Sequence, residues 1–385
     1  MVFQNAGPVV ATAPSSANLG LPIVSHGRSV DGALGCPSGF PDHLYHPLAW
    51  TGNQLSQGDQ LIHHLSQADL AEIKSALMTF KEQELDGDLV DRQNFPLPKL
   101  AQKLDAVGEI LHNGIGVAVI RGLDPKEFSV EDLTIVRLGL QIYIADQQGR
   151  QDHKGNMLVH IIADNSSEIK LGHHRHSTTA ISFHNEEAGD IVSWLTRSTA
   201  ASGGRCIIAS AYEIYNVLAT HRPDILRTLA KSDWPLALPR FQCRPLIFYE
   251  DSRLIMNFGR TPLMGNATHP RPEHLPKLND RQREALDTVE VIAKAVQLEI
   301  QTQAGDIHFI NNLAILHRRE GFVNGASLDE KRHLVRMRLR SSRQGWSIPG
   351  PLQREWREAF NSKACKTWHL DPMPGEAFPL RKYTN

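Results

Sequence analysis

No run of about 18 apolar residues occurs in the 385-residue chain, so no membrane-spanning helix is expected. The N-terminus lacks a charged segment leading into an apolar one, and no secretory leader is expected. Cysteine is scarce: Cys36, Cys206, Cys243 and Cys365 stand far apart, and none forms a CxxC pair. That spacing argues against a disulfide framework or a zinc knuckle and fits a reducing compartment, so a cytoplasmic protein is expected. A formal net charge of -1 gives no global field to select nucleic acid or an anionic membrane, and neither is expected as a partner. Homopolymer tracts, heptad arrays and internal repeats are all absent.

What is present suits one large core: 41% of residues are hydrophobic and 22% charged. Residues 1–43, rich in Gly, Ala, Ser and Pro, read as an irregular arm, and 44–385 as a single domain. Helical periodicity follows Ser66 (Leu70, Ile73, Leu77, Phe80), Pro98 (Leu100, Leu104, Val107, Leu111) and Ser129 (Leu133, Val136, Leu140, Ile144). The apolar run between Gly116 and Gly122 reads as a buried strand. From about residue 156 short strands dominate, at 157–162, 179–184, 190–196, 205–209, 253–258, 298–302, 306–310 and 332–340. Helices over 210–230 and 280–296 interrupt them. Many short strands with a few covering helices predict a mostly β, α+β fold: a β-barrel or jelly roll clad by helices.

Three residues carry the chemistry. In Phe183-His184-Asn185-Glu186, His184 and Glu186 are two apart, and on a strand both side chains leave the same face. His317 comes 133 residues later, after Gly305-Asp306-Ile307-His308-Phe309-Ile310-Asn311-Asn312, a turn into an apolar strand. Two histidines and one carboxylate can bind one face of an Fe(II) ion and leave the other open. His173, His174 and His176 form a denser cluster, but no nearby carboxylate completes it, and they read as loop or mouth residues.

The segment 332–340 alternates, with Arg332, Leu334, Arg336, Arg338 and Arg340 on one parity. Arg338 and Arg340 suit the exposed end of an edge strand, whose basic face blocks further pairing. Arg332 and Arg336 suit organic acids, because a guanidinium grips a carboxylate in a fork and stays charged when partly buried. They lie roughly 13 Å apart along an extended chain. An apolar cavity would not keep both cations without anionic partners.

Taken together, the chain resembles the TauD/TfdA family of Fe(II)- and 2-oxoglutarate-dependent oxygenases, especially its fungal branch. The resemblance runs from about Trp50 to about Pro349. It rests on Gly149-Arg150-Gln151-Asp152-His153-Lys154-Gly155-Asn156 with Leu158-Val159-His160, Phe183 to Glu186, Gly203-Gly204, Asn257-Phe258, Gly305 to His317 and the arginine segment. It implies a double-stranded β-helix, the jelly roll of this superfamily, with Fe(II) on His184, Glu186 and His317. It implies that Arg332, fifteen positions after His317, binds the distal carboxylate of 2-oxoglutarate, and that Arg336 contacts an anionic substrate group. Dioxygen is the other co-substrate, and the outcome is hydroxylation, desaturation or ring closure of a small molecule.

Two positions depart from the common pattern. Glu186 stands where Asp is usual, as in clavaminate synthase-like relatives, and Glu187 is expected to point away. Cys206 stands where many relatives place a Thr or Ser that helps hold 2-oxoglutarate; a thiol is the weaker hydrogen-bond partner. The Glu186 variant leans the expected substrate toward an amino-acid-like or peptide-derived metabolite, such as those of secondary metabolism. A homo-oligomer is allowed. The competing readings are a non-catalytic 2-oxoglutarate-binding relative and a zinc hydrolase on the same ligands. The second lacks the HExxH spacing that hydrolases often show.

Overall fold

The alternating segments assemble into two facing sheets in the computed structural model. It describes residues 35–56, 59–163, 177–266 and 269–371. In chain order the strands are β1 (Ile62–His64), β2 (Val117–Arg121), β3 (Gln147–Gly149), β4 (Val159–Ile162), β5 (Ile181–His184), β6 (Ile191–Ser198), β7 (Ser202–Gly203) and β8 (Cys206–Ser210). They continue as β9 (Trp234–Leu236), β10 (Gln242–Arg244), β11 (Ile247–Glu250), β12 (Arg253–Met256), β13 (Leu298–Ile300), β14 (Ile307–Asn311), β15 (Ile315–Arg319), β16 (Phe322–Val323) and β17 (His333–Arg340).

The larger sheet runs β1-β2-β14-β6-β17-β3, with β4 also on β17; the smaller runs β13-β8-β15-β5. Val117, Val192, Ile310 and Leu334 of the first share one apolar cluster with Ile207, Ile315 and Leu316 of the second. The sheets form the jelly-roll sandwich expected from the sequence, and they do not close into a barrel.

On its other face the larger sheet packs against helices Gln67–Glu82, Leu100–Asn113 and Val130–Gln141. Ile307, Phe309, Val335, Met337 and Leu339 belong to that second cluster. Two of these helices start on a serine cap, Ser66 and Ser129. Ser66 accepts from the Asp69 amide, while the Asp69 carboxylate reaches back to the Ser66 amide, closing a capping box. Arg137 crosses from its helix into the sheet and donates to the Val335 and Ser193 carbonyls at 2.7 and 3.1 Å. It thereby satisfies carbonyls where the layers meet.

Two expectations need correction. The helix foreseen over 210–230 is two, Ala211–His221 and Pro223–Leu229. Pro223 pushes Arg222 out of the helical region, to φ -144 and ψ 60, and Arg222 instead pairs with Asp224 and Glu284. The segment read as an exposed edge is also interior: β17 has β6 on one side and β3 and β4 on the other. Arg338 is buried, and Arg340 is part-buried and paired with buried Asp190. Alternating arginine therefore marks a strand facing internal anions, which period-two patterning alone does not distinguish from a solvated face.

Of the arm foreseen over 1–43, residues 35–43 are described; they form turns, and Phe40 stacks on Tyr215. The His173–His174–His176 cluster lies outside the described residues. No described helix is long and apolar enough to cross a membrane.

A pair of buried histidines ties the C-terminal segment to this frame. His160 on β4 donates through Nε2 to the His369 carbonyl at 2.6 Å and faces His333 Nε2 through Nδ1 at 2.9 Å. Burial, then the Arg197 charge, pushes the His160 imidazole well below its ordinary value, and burial, then the neighbouring His160 and Arg197, does the same to His333. Each is neutral when folded and titrates normally, near 6.5, when unfolded. Between those values the unfolded chain binds more protons, so stability falls as pH drops below about 6.5. The melting temperature is expected to decline from pH 6.5 toward pH 4, and His333→Gln to flatten that slope; a parallel slope in the variant would contradict this.

Candidate metal centre

The two histidines meet because β5 and β15 pair with His184 and His317 as Cα partners. Both rings project into the space between the sheets, with centroids 4.3 Å apart. Glu186 lies just beyond the end of β5, its Oε1 4.0 Å from His184 Nε2 and 3.8 Å from His317 Nε2. All three ligand atoms lie within 4.8 Å of one another. Metal–ligand bonds of about 2.1 Å reach such carboxylate–imidazole spacings from a common centre.

The donor set fits a divalent ion chemically. His184 donates through Nδ1 to the Ser182 carbonyl at 2.9 Å, leaving Nε2 as the electron-pair donor toward the cavity. Burial, then the adjacent His317, lowers its pKa to about 4, so the ring is neutral. Burial alone would raise the Glu186 carboxyl, but Arg336, His317 and Arg338 hold it well below the usual range. A neutral imidazole and an ionised carboxylate are the forms that ligate. Glu187 is half-exposed and stays outside the triad, with its carboxylate 3.8 Å from Arg338.

Several residues that the sequence left without a role hold this geometry. Asn312 accepts from the Glu186 amide at 2.8 Å and donates to the Glu186 and Gly189 carbonyls. Asn185 donates to the Asn312 and Ile315 carbonyls and accepts from the Phe258 amide. Both side chains are buried. The Gly149–Asn156 motif folds on Asp152, which accepts from the Lys154 and Asn156 amides, and delivers Gln151 to Arg336. Signals for these residues were present, in the Asn of Phe-His-Asn-Glu and in the Asn-Asn turn. Their partners are 73 to 130 residues away in sequence, so their contacts were not legible.

Arg336 reaches Glu186 through Nη1 and donates through Nη2 to Gln151 at 3.1 Å. Arg332 lies at the other end of the cavity. Its Nε donates to the Gly204 carbonyl at 3.2 Å, and its guanidinium covers the Phe322 ring at 5.3 Å. Gly204 is needed there: its φ is +70°, and an added Cβ would come 2.9 Å from Arg332 Cδ. Burial, then the Arg319 charge, brings Arg332 down to about 9, still cationic at neutral pH. Cys206, at the start of β8, is buried, and burial pushes its thiol up to about 12, so it is uncharged.

His184, Glu186, His317, Arg332, Cys206 and Arg336 thus line one cavity of about 150 Å³, closed on its apolar side by Ile161, Ile181, Trp194 and Leu334. Residues 81–338 match the taurine catabolism dioxygenase TauD, TfdA family. The chain belongs to that family. It is accordingly a 2-oxoglutarate-dependent non-haem iron dioxygenase, with Fe(II), 2-oxoglutarate and dioxygen as its reactive complement. The placement sets aside the zinc-hydrolase reading.

The chain is 33% identical over 342 residues to the taurine hydroxylase-like protein SAT17 of Stachybotrys chartarum, covering 85% of this chain and 88% of that one. It is 24% identical to the FR-33289 synthase of Streptomyces rubellomurinus, covering 75% and 87%. Among solved structures it resembles an asparagine oxygenase in complex with Fe(II), 3-hydroxyasparagine and succinate. That match has a TM-score of 0.56 and 14% identity, and covers 73% of this chain and 93% of that chain. The non-haem iron oxygenase OrfP in complex with Fe and α-ketoglutaric acid also matches, with a TM-score of 0.52 and 14% identity, covering 73% and 94%. At such identities these structures speak to the fold.

Proposed function

We propose that His184, Glu186 and His317 hold Fe(II), that Arg332 beside Cys206 takes the distal carboxylate of 2-oxoglutarate, and that Arg336 meets an anionic group of the substrate. The supporting observation is the grouping itself: two imidazoles and a carboxylate in a cavity with a buried guanidinium at each side. When bound, Fe(II) with 2-oxoglutarate and dioxygen supplies the oxidising power that attacks a C–H bond, leaving succinate and carbon dioxide. The chain's own residues orient and enclose. His184 presents a neutral nitrogen and His317 a second imidazole, Arg332 fixes the co-substrate at its far end, and the apolar wall of Ile161, Ile181 and Leu334 limits water.

The substrate class that fits is a small anionic or amino-acid-like metabolite, consistent with secondary metabolism and with hydroxylation, desaturation or cyclisation. Arg336 supports an anion because it is a cation on the cavity wall, anchored by Glu186 and Gln151, with a guanidinium that can grip a carboxylate. The names of two similar proteins point the same way: a taurine hydroxylase-like protein and an asparagine oxygenase. The test is an anaerobic titration of the protein with Fe(II) and 2-oxoglutarate, read from the visible absorption band of the chelate. Amino acids, sulfonates and aryl or alkyl acids are then screened for succinate release. A wild-type protein that develops no band would overturn the site assignment. Succinate release driven only by uncharged substrates would overturn the role of Arg336.

A further inference from the structure

Arg332 stands between two cavities. Beyond it, on the side away from the triad, lies a second cavity of about 260 Å³ that shares Trp194, Cys206, Arg332 and Leu334 with the first. Thr196 lines this second space. Its residue is 1% exposed, and its Oγ1 has no hydrogen-bond partner. The backbone is fully engaged, the amide with the Asp306 carbonyl and the carbonyl with the Gly305 amide, so only the hydroxyl is left over. Arg332 has the same surplus: the residue is 8% exposed and its Nη1 is without a partner. Both line this cavity, and Thr196 on β6 pairs with Leu334 on β17, two residues beyond Arg332, with a register shift between His333 and Leu334.

Buried polar atoms in folded proteins are nearly always satisfied, so an orphaned hydroxyl and an orphaned guanidinium nitrogen on one cavity call for a shared polar ligand. An anionic acceptor suits both, because each can donate to it. Cys206, across the same guanidinium, is a poor donor to an anion: its thiol forms weak hydrogen bonds, and burial keeps it protonated. His308 is likewise buried with both ring nitrogens unpartnered, but it stacks flat on Trp194 and does not line either cavity. It is therefore not the compensating group.

We propose that Thr196 supplies the hydroxyl that Cys206 lacks, so that the distal carboxylate of 2-oxoglutarate is gripped by Arg332 and Thr196 together. The inference rests on the assignment of that carboxylate to Arg332. Thr196 contributes one O–H to one carboxylate oxygen, and Arg332 Nη1 donates to the same group. This puts the co-substrate hydroxyl on β6 of the larger sheet rather than at the start of β8 in the smaller sheet.

The test compares 2-oxoglutarate affinity, by calorimetry on the Fe(II)-loaded protein under anaerobic conditions, for wild type, Thr196→Val, Thr196→Ser, Cys206→Thr and the double variant Thr196→Val/Cys206→Thr. Thr196→Val removes the hydroxyl and keeps the shape; affinity is expected to fall about tenfold or more, as for a hydrogen bond to a charged group. Fe(II) affinity and melting temperature should be unchanged. Thr196→Ser keeps the hydroxyl and should keep most of the affinity. Cys206→Thr should restore affinity in the Thr196→Val background. Thr196→Val binding 2-oxoglutarate as wild type does would overturn the proposal. So would the inverse order, Ser weak and Val strong, which would mark a packing role. If the wild type binds Fe(II) but no 2-oxoglutarate, the assignment of Arg332 fails first and this inference falls with it.

Discussion

Replacing His317 by alanine is expected to weaken Fe(II) binding by more than about 100-fold and to abolish 2-oxoglutarate turnover. The bound arises by comparison. Changing a residue that merely supports a metal ligand commonly costs 10- to 100-fold in affinity, and His317 is proposed as a ligand itself. The protein should nevertheless remain folded. His317 lies on an inner strand, but its Nδ1 makes no hydrogen bond and its neighbours Ile315 and Leu316 carry the packing. The measurements are iron stoichiometry after anaerobic loading and the circular dichroism melt. Iron retained at wild-type affinity by both His184→Ala and His317→Ala would sink the metal-site assignment. The isosteric Glu186→Gln should also lose iron. It would in addition leave Arg336 facing a neutral amide, so its melting temperature should fall where that of His317→Ala does not.

Arg332→Gln is expected to raise the dissociation constant for 2-oxoglutarate by about 30-fold or more while leaving Fe(II) affinity near wild type. Truncating one partner of a buried, hydrogen-bonded charge pair typically costs 2 to 5 kcal/mol, which is at least that factor. Arg332→Lys should fall between, because a lysine keeps the charge without the two-pronged geometry. Titrating the Fe(II)–2-oxoglutarate absorption band separates this effect from iron loss, since excess Fe(II) would not rescue it. Unchanged co-substrate affinity in Arg332→Gln would place the distal carboxylate elsewhere in the cavity. The proposed Thr196 contact would then lose its partner.

Much of this fold was legible from periodicity. The helix Asp280–Val296 matches its expected span, and β6, β8, β14 and β17 fall within a residue or two of the apolar or alternating segments that announced them. The triad was legible because His184 and Glu186 are two apart on a strand, and because a turn and an apolar strand lead to His317. Burial of the arginines was harder to see. A strand with charge on every second residue looks the same whether its face meets water or internal carboxylates, and only the placement of β17 between β6 and β3 decides. The pairs β9/β10 and β11/β12 were partly missed because Pro235 and Pro245 interrupt the apolar pattern. Thr196 carried no sequence signal at all: one threonine in an apolar strand is ordinary, and its interest comes from the unfilled space beside it.

The amide clamps of Asn185 and Asn312 bear on the order in which the protein matures. His184 and His317 are 133 residues apart, and bringing them together costs the entropy of closing a long loop. That closure is driven by the ladder between β5 and β15 and by asparagine bonds to the backbone around Glu186, none of which uses a metal-ligating atom. Small zinc domains work the other way, since their metal free energy is their folding free energy. Here hydrogen bonds within the chain hold the backbone of the site. Stripping the metal with a chelator is accordingly expected to leave the chain folded, measured as an unchanged circular dichroism melt.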